Sequence, residues 1–301
     1  MANILIAGGS GLVGQHLTTM LMAQGHSVSW LSRKASGNSA GVRVFAWNPS
    51  THSLDPQALI DTDHIVSLAG SSIAGKAWTN QYKSEIIGSR KDAAATLLNA
   101  LDTHPHKVKS LVAASAVGYY GDRDQHICTE ETSAGTGFLS TTTREWEEAY
   151  TASPVRTVLL RIGIVLSTKG GALPVMAAPL ITGVCPILGG GKQYMSWIHI
   201  DDLCQMFMSA MESEAWKGIY NACGPAPCTH KEFMLTLREQ RFRYAVPVPV
   251  PSFALKLLMG EKSSIVTDST RAGAQKIQGA GFRFRFDSLK QALTDIYERK
   301  I

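Results

Sequence analysis

Gly8, Gly11 and Gly14 recur every third residue directly after the apolar run Asn3-Ile4-Leu5-Ile6-Ala7. Glycines at such a junction permit a tight turn and let a bulky anion approach the main chain. Apolar residues then return at Val13, Leu17, Met20 and Leu21, which is helical spacing. A strand, a glycine turn and a helix N-terminus together offer unpaired N–H groups to a diphosphate. The spacing is Gly-x-x-Gly-x-x-Gly, not the commoner Gly-x-Gly-x-x-Gly. The second candidate is Arg33, in Ser32-Arg33-Lys34. A dinucleotide site selective for NAD commonly carries Asp or Glu at the end of the second strand, to hold a ribose 2′-hydroxyl. A carboxylate there repels a 2′-phosphate, whereas a guanidinium grips it, so Arg33 points to NADP(H). The third is Ser115-Ala116-Val117-Gly118-Tyr119-Tyr120-Gly121, which gathers a hydroxyl, Ser115, and two phenols, Tyr119 and Tyr120. Such groups can orient a substrate oxygen and move its proton.

These residues need a scaffold. Ser27–Leu31, Val42–Ala46, His64–Leu68, Ser110–Ala114 and Arg156–Arg161 read as further strands. Gly25 closes the first helix, and Asp55-Pro56 opens a short one. A long helix runs from about Thr79 to Leu101, on which Lys83, Arg90 and Lys91 read as solvated charges. Another runs from Phe138 to about Tyr150. This alternation implies an α/β fold with a doubly wound parallel sheet of Rossmann type. Gly70 and the Ser115–Gly121 cluster then fall at the C-terminal ends of strands, where such sheets bind ligands. Trp47 follows the third strand, either packing near an adenine or buried in the ordinary way.

The pattern changes after Ser167, where glycine and proline become frequent. Trp197-Ile198-His199-Ile200-Asp201-Asp202-Leu203 reads as a strand entering a helix capped by aspartate. Pro247, Pro249 and Pro251 mark a loop, and the last helix covers roughly Asp287–Arg299. The expected division is a Rossmann domain over 1–166, completed by elements around 194–222, and a smaller C-terminal substrate lobe over 167–301. In that lobe Lys192 either meets a substrate phosphate or solvates a loop, while Gln193 and Trp197 line the substrate pocket. His199 reads as a satisfied core histidine.

Composition narrows the classes. The 301 residues are 45% hydrophobic and 18% charged, as in a soluble globular protein with a substantial core. The net charge of +5 is spread without a long basic run, which argues against nucleic acid as a partner. The five cysteines form no Cys-x-x-Cys pair, so no metal site is expected and the thiols fit a reducing cytoplasm. The N-terminus reads as a core strand, not a signal peptide, and no uncharged apolar run approaches membrane-spanning length. The expected partner is a small-molecule substrate, and the expected state a monomer or homodimer.

Several stretches together resemble a known family: Gly8–Gly14, Leu68-Ala69-Gly70, Ser115–Gly121, Leu160-Arg161-Ile162-Gly163-Ile164-Val165-Leu166, and Ser196–Leu203. The chain is similar to the YfcH-like branch of the NAD-dependent epimerase/dehydratase family, atypical extended short-chain dehydrogenases/reductases. Residues 246–301 resemble that branch's C-terminal DUF1731 domain. The resemblance implies an NADP(H) site. Gly8, Ser10, Gly11, Leu12 and Val13, with Gly14 behind them, correspond to its diphosphate turn, and Arg33 to its 2′-phosphate contact. Leu68, Ala69 and Gly70 correspond to the wall beside the nicotinamide ribose. Gly163, Ile164 and Val165 correspond to the loop facing the carboxamide. Ser115 corresponds to a serine that hydrogen-bonds the substrate.

One departure bears on activity. Ordinary members of the wider family carry a Tyr-x-x-x-Lys pair on the helix that starts near Phe138. Here Leu139 and Thr143 stand at those positions. Leucine has no proton to transfer and threonine no positive charge to offer. Two functions follow: an NADP(H)-dependent oxidoreductase or epimerase on a small polar or sugar-nucleotide substrate, with Tyr119 or Tyr120 as acid, or a non-catalytic NADP(H)-binding sensor or scaffold.

Overall fold

A computed structural model describes residues 1–34, 37–39 and 41–298. The chain divides into two compact units, Met1–Ser115 with Thr142–Leu160 and Cys204–Tyr220, and Ala116–Thr141 with Arg161–Leu203 and Asn221–Ile301. The chain therefore changes unit at residue 116, not at the expected boundary of 166. Residues 116–141 go with the second unit because Tyr120 and Cys128 share a small core with Cys223 and Ala272. Of the stretch 194–222, only 204–220 joins the first unit.

The first unit is organised by a mostly parallel sheet. In chain order its elements begin β1 (Asn3–Ala7), α1 (Leu12–Ala23), β2 (Ser27–Ser32), β3 (Gly37–Ser39), β4 (Val42–Asn48), β5 (Ser53–Leu54) and α2 (Gln57–Ile60). They continue with β6 (His64–Ser67), α3 (Asn80–Thr103), β7 (Ser110–Ala116), β8 (Ile127–Cys128), α4 (Phe138–Glu148) and β9 (Arg156–Ile162), of which β8 belongs to the second unit. The sheet order is Gly218–Ala222, β9, β7, β6, β1, β2, β4, β3. The strands β4-β2-β1-β6-β7 are all parallel, and β3 and β5 add antiparallel partners to β4. This is the doubly wound Rossmann arrangement, with its switch point between β1 and β6. Ile4, Leu5, Ile6 and Ala7 are fully buried because helices cover both faces of a parallel sheet, which is why β1 reads as an unbroken apolar run. Gly25 adopts φ +81° and its N–H bonds the Met22 carbonyl, closing α1 as expected.

The second unit is built around Leu173, Phe233, Leu237, Leu293 and the wholly buried Trp197. Val246–Val250, expected as a loop, is instead a strand paired in parallel with Val184–Leu188. The Val246 N–H bonds Gly183, so in an alternating strand the nitrogens of Pro247 and Pro249 point away from the partner and no donor is missed. Asp201 and Asp202 lie inside the first turn of the helix Ile200–Glu212 and do not cap it. The Asp202 carboxylate instead accepts the N–H groups of Arg285 and Phe286 at 3.0 and 3.1 Å. The last helix is Leu289–Glu298; Arg299, its expected end, and Ile301, the expected end of the lobe, lie outside the described residues. His199 is a core histidine with no exposed surface, its Nε2 3.3 Å from the Asp295 carboxylate.

His230, which opens the helix His230–Arg241, gives a testable pH dependence. The ring is 4% exposed, its Nδ1 lacks a partner, and burial pushes its pKa down to about 4. The unfolded chain takes this proton near pH 6.5 and the folded chain only near 4, so stability is lost as pH falls through 6.5. Between pH 7.5 and 5 the loss from this group is about 2 kcal/mol. Urea unfolding at the two pH values should show His230→Gln keeping that amount relative to the parent. Identical losses in both proteins would refute the assignment.

Candidate functional site

The β1–α1 turn is shaped by what its glycines touch. Gly8 adopts φ +86°, and a Cβ on it would lie 2.9 Å from the Leu68 carbonyl carbon. Its own carbonyl accepts the Gly11 N–H at 3.0 Å. A Cβ on Gly14 would stand 2.5 Å from the Gly8 oxygen, so this glycine lets α1 pack against the turn. Gly9 lies under the indole of Trp30, which would be 2.3 Å from a Cβ there. Trp30 in turn donates from Nε1 to Thr18. Gly11 is different, because it is exposed and meets only the Gly8 oxygen, at 3.3 Å. It stands at the N-cap of α1 with no side chain capping the helix and no acidic residue in the first turn. The first N–H groups of α1 are therefore left for an outside anion.

A cleft of about 1040 Å³ opens over this turn. Gly8, Ser10 and Gly11 line it, as do Leu68, Ala69 and Gly70 beyond the end of β6. Arg33 and Lys34, both exposed just past β2, line it too, with Trp47 nearby in the same wall. Leu12, Val13 and Gly14 support the turn from α1 and are not part of the lining. Sequence reasoning missed Trp30, which is the roof of the turn. The signal was a glycine at position 9 whose need for space has no meaning until the facing strand is known.

Behind the cleft wall the first unit holds a polar layer. Ser115, expected to face a substrate, is 3% exposed and donates to Glu147 at 2.5 Å. Tyr150 donates to Ser67 at 2.9 Å. Thr143, at the position where a lysine would stand, is buried. Arg90, read from the sequence as a solvated charge, is only 7% exposed. Its face of α3 turns toward Trp146 and away from water.

In the second unit the two tyrosines part company. Tyr120 has no exposed surface; its hydroxyl donates to Asn221 at 2.6 Å and accepts from Arg161 at 3.0 Å. Burial raises its pKa far above the phenol value, with Arg161 opposing, so it is a core tyrosine and not the expected acid. Tyr119 is half-buried, its ring 3.5 Å below the Arg161 guanidinium. The sequence offered no cation near these phenols; Arg161, 1% exposed, supplies one from within an apolar strand. Gly163 is explained by packing, since a Cβ would meet the Ser196 oxygen at 2.3 Å where Ile164–Leu166 pairs with Trp197–His199. Ile164 and Val165 belong to that pairing.

The three residues expected against the substrate are not presented together. Lys192 is exposed. Gln193 is buried and its amide donates to Leu188 and Val266. Trp197 has no exposed surface and donates to Ala226, which makes it a core residue. Among the described residues no group of three or more His, Cys, Asp or Glu is placed to hold a metal, and no helix is long and apolar enough to cross a membrane.

Comparison with known proteins agrees with this geometry. Residues 4–223 match the model of the NAD dependent epimerase/dehydratase family, and residues 250–296 match DUF1731, a domain of unknown function. Epimerase family protein Mb2239 of Mycobacterium bovis is 37% identical over 299 residues, covering 97% of each chain. Epimerase family protein YfhF of Bacillus subtilis is 36% identical, covering 98% of this chain and 97% of its own. The crystal structure of human epimerase family protein SDR39U1 (isoform 2), solved with NADPH, superposes with a TM-score of 0.88 at 27% identity, covering 99% of this chain and all of that one. With its Rossmann sheet, its open glycine turn and these relatives, the chain belongs to the NAD dependent epimerase/dehydratase family and carries a DUF1731 domain toward its C-terminus.

Proposed function

We propose that this protein binds NADP(H) in the cleft over Gly8, Ser10 and Gly11 and reduces a small polar carbonyl substrate. The observation that carries the reading is the open N-terminus of α1 at Gly11 in one cleft with Arg33 and Lys34, and no carboxylate at the end of β2. The residues fit the group. Ser10 and the first turn of α1 would hold the diphosphate, Arg33 the 2′-phosphate, and Leu68–Gly70 the neighbouring ribose. The human relative's structure with NADPH supports the choice of nucleotide. When bound, NADPH supplies hydride to a carbonyl carbon. The chain must then deliver a proton to the carbonyl oxygen. Leu139 and Thr143 cannot, and Tyr120 is sealed in the core. Tyr119 retains exposed surface and a transferable proton, so it is the donor in this reading. Ser115, held by Glu147, is a positioning residue. A single proton donor suits reduction; an epimerase needs both directions. The same reading puts the protein in the cytoplasm, as a monomer or homodimer that works without nucleic acid or membrane.

The test is single-turnover NADPH oxidation against a panel of aldehydes, ketones and keto-sugar nucleotides. Tyr119→Phe should lose about a hundredfold in rate, the usual scale of a general acid. Full rate in that variant on a turned-over substrate would remove Tyr119 from the mechanism. Binding of NADPH with no turnover of any substrate would favour a second reading, a sensor or scaffold, which the residues Leu139 and Thr143 support.

A further inference from the structure

α3 carries its other charges outward. Lys91 reaches Glu145 at 3.0 Å with half its side chain in water. Arg90, one residue earlier, is buried, and its surroundings do not neutralise it. Its Nη1 donates to the Ser71 and Ile86 carbonyls at 3.0 and 2.9 Å, and its Nε has no acceptor. The guanidinium carbon lies 4.9 Å from the centre of the Trp146 ring. No carboxylate pairs with Arg90 among the described residues. Burial lowers its pKa to about 10, which still leaves it charged at neutral pH. Removing a cation from water without a counter-ion is strongly unfavourable, and removing one partner of a buried pair is among the costlier changes known. The two carbonyls and the face of Trp146 offset part of this charge, and no carboxylate among the described residues offsets the rest.

Position and exposure say where the offset comes from. A Cβ on Gly70 would be 3.1 Å from the Arg90 guanidinium carbon, so the cation sits directly behind that residue. Gly70 and Ser71 both line the cleft, as do Gly88 and Ser89 of α3. At this point the backbone of Gly70 stands between the guanidinium and the cleft. The Ser71 carbonyl that Arg90 holds belongs to the same wall.

We propose that Arg90 is a built-in positive charge for an anionic dinucleotide: buried behind Gly70 with no carboxylate of its own among the described residues, it lends its charge to the cleft wall that faces the bound ligand. It acts through the wall and not by contact, as a positioning residue. The inference rests on the NADP(H) reading of the cleft and adds a residue to it. At an effective dielectric of about 20, one charge roughly 10 Å from a phosphate alters binding of the anion by about tenfold or more.

The experiment is calorimetric titration of NADPH into the protein and its Arg90→Met, Arg90→Gln and Arg90→Lys variants, with thermal unfolding of each ligand-free. Arg90→Met should bind NADPH at least about tenfold more weakly while melting no lower than the parent, since an apolar side chain replaces an unpaired buried charge. Arg90→Lys, which keeps the charge, should restore most of the affinity. Raising salt should weaken NADPH binding less in Arg90→Met than in the parent. Equal affinity in the parent and Arg90→Met would overturn the proposal. So would loss of affinity together with a lower melting temperature, or failure of Arg90→Met and Arg90→Gln to fold, because Arg90 would then be structural. A parent protein that binds no NADPH would overturn the cofactor reading itself, a result distinct from the others.

Discussion

Gly11→Val should fold and lose the dinucleotide. A Cβ at Gly11 meets only one atom, the Gly8 oxygen at 3.3 Å, and the residue's φ of −77° is ordinary for any side chain. The fold therefore loses about 1 kcal/mol, the scale of a poorer N-cap. The isopropyl group, however, stands where the diphosphate would reach the first N–H groups of α1. Two charge-assisted hydrogen bonds at roughly 1.5–3 kcal/mol each disappear, so affinity should fall more than about a hundredfold. Gly14→Val gives the opposite pairing of results. Its Cβ would lie 2.5 Å from the Gly8 oxygen and 2.7 Å from the Gly9 Cα, backbone that cannot step aside. That variant should fail to fold or should melt far below the parent. Melting curves and NADPH titration separate the two. A folded Gly11→Val with parental affinity would end the nucleotide reading of this turn.

Arg33→Ala should erase a preference and leave the fold untouched. Arg33 is exposed, just beyond β2, and lines the cleft. A guanidinium on a 2′-phosphate makes charge-assisted hydrogen bonds of roughly 1.5–3 kcal/mol, so the parent should favour NADPH over NADH by about tenfold or more. The variant should lose that factor for NADPH and bind NADH as before. Neighbouring Lys34 lines the same cleft, so Arg33→Ala with Lys34→Ala should complete the loss. Titrations of all three proteins with both nucleotides check this. A parent indifferent to the 2′-phosphate would contradict it.

The first unit was legible because its signals are local. Residues 3–7 form one buried strand, the next helix begins at Leu12, and Gly25 ends it, each read from a handful of neighbouring residues. The glycine turn and Arg33 are local as well, and the cleft contains both. What escaped was decided by partners distant in sequence. Arg90 sits in a helix of mixed charge, and its burial depends on Trp146 of α4. Tyr120 and Tyr119 are adjacent, yet one is sealed by Asn221 and the other is not. Val246–Val250 looked like a loop because alternating prolines exclude a central strand; they do not exclude an edge whose inward donors are all valines. Asp202 looked like a cap because it opens a helix, and only the tertiary fold brings Arg285 and Phe286 to its carboxylate.

In the proposed reading the cleft at the β1–β6 switch point holds NADP(H) while Leu139 and Thr143 occupy the usual tyrosine and lysine positions. A crystal structure of the protein saturated with NADPH decides whether it does. The expected density shows the diphosphate over Ser10 and Gly11 at the start of α1, the 2′-phosphate at Arg33, and the nicotinamide ribose against Leu68–Gly70. A dinucleotide bound elsewhere, or none at saturating concentration, would contradict it.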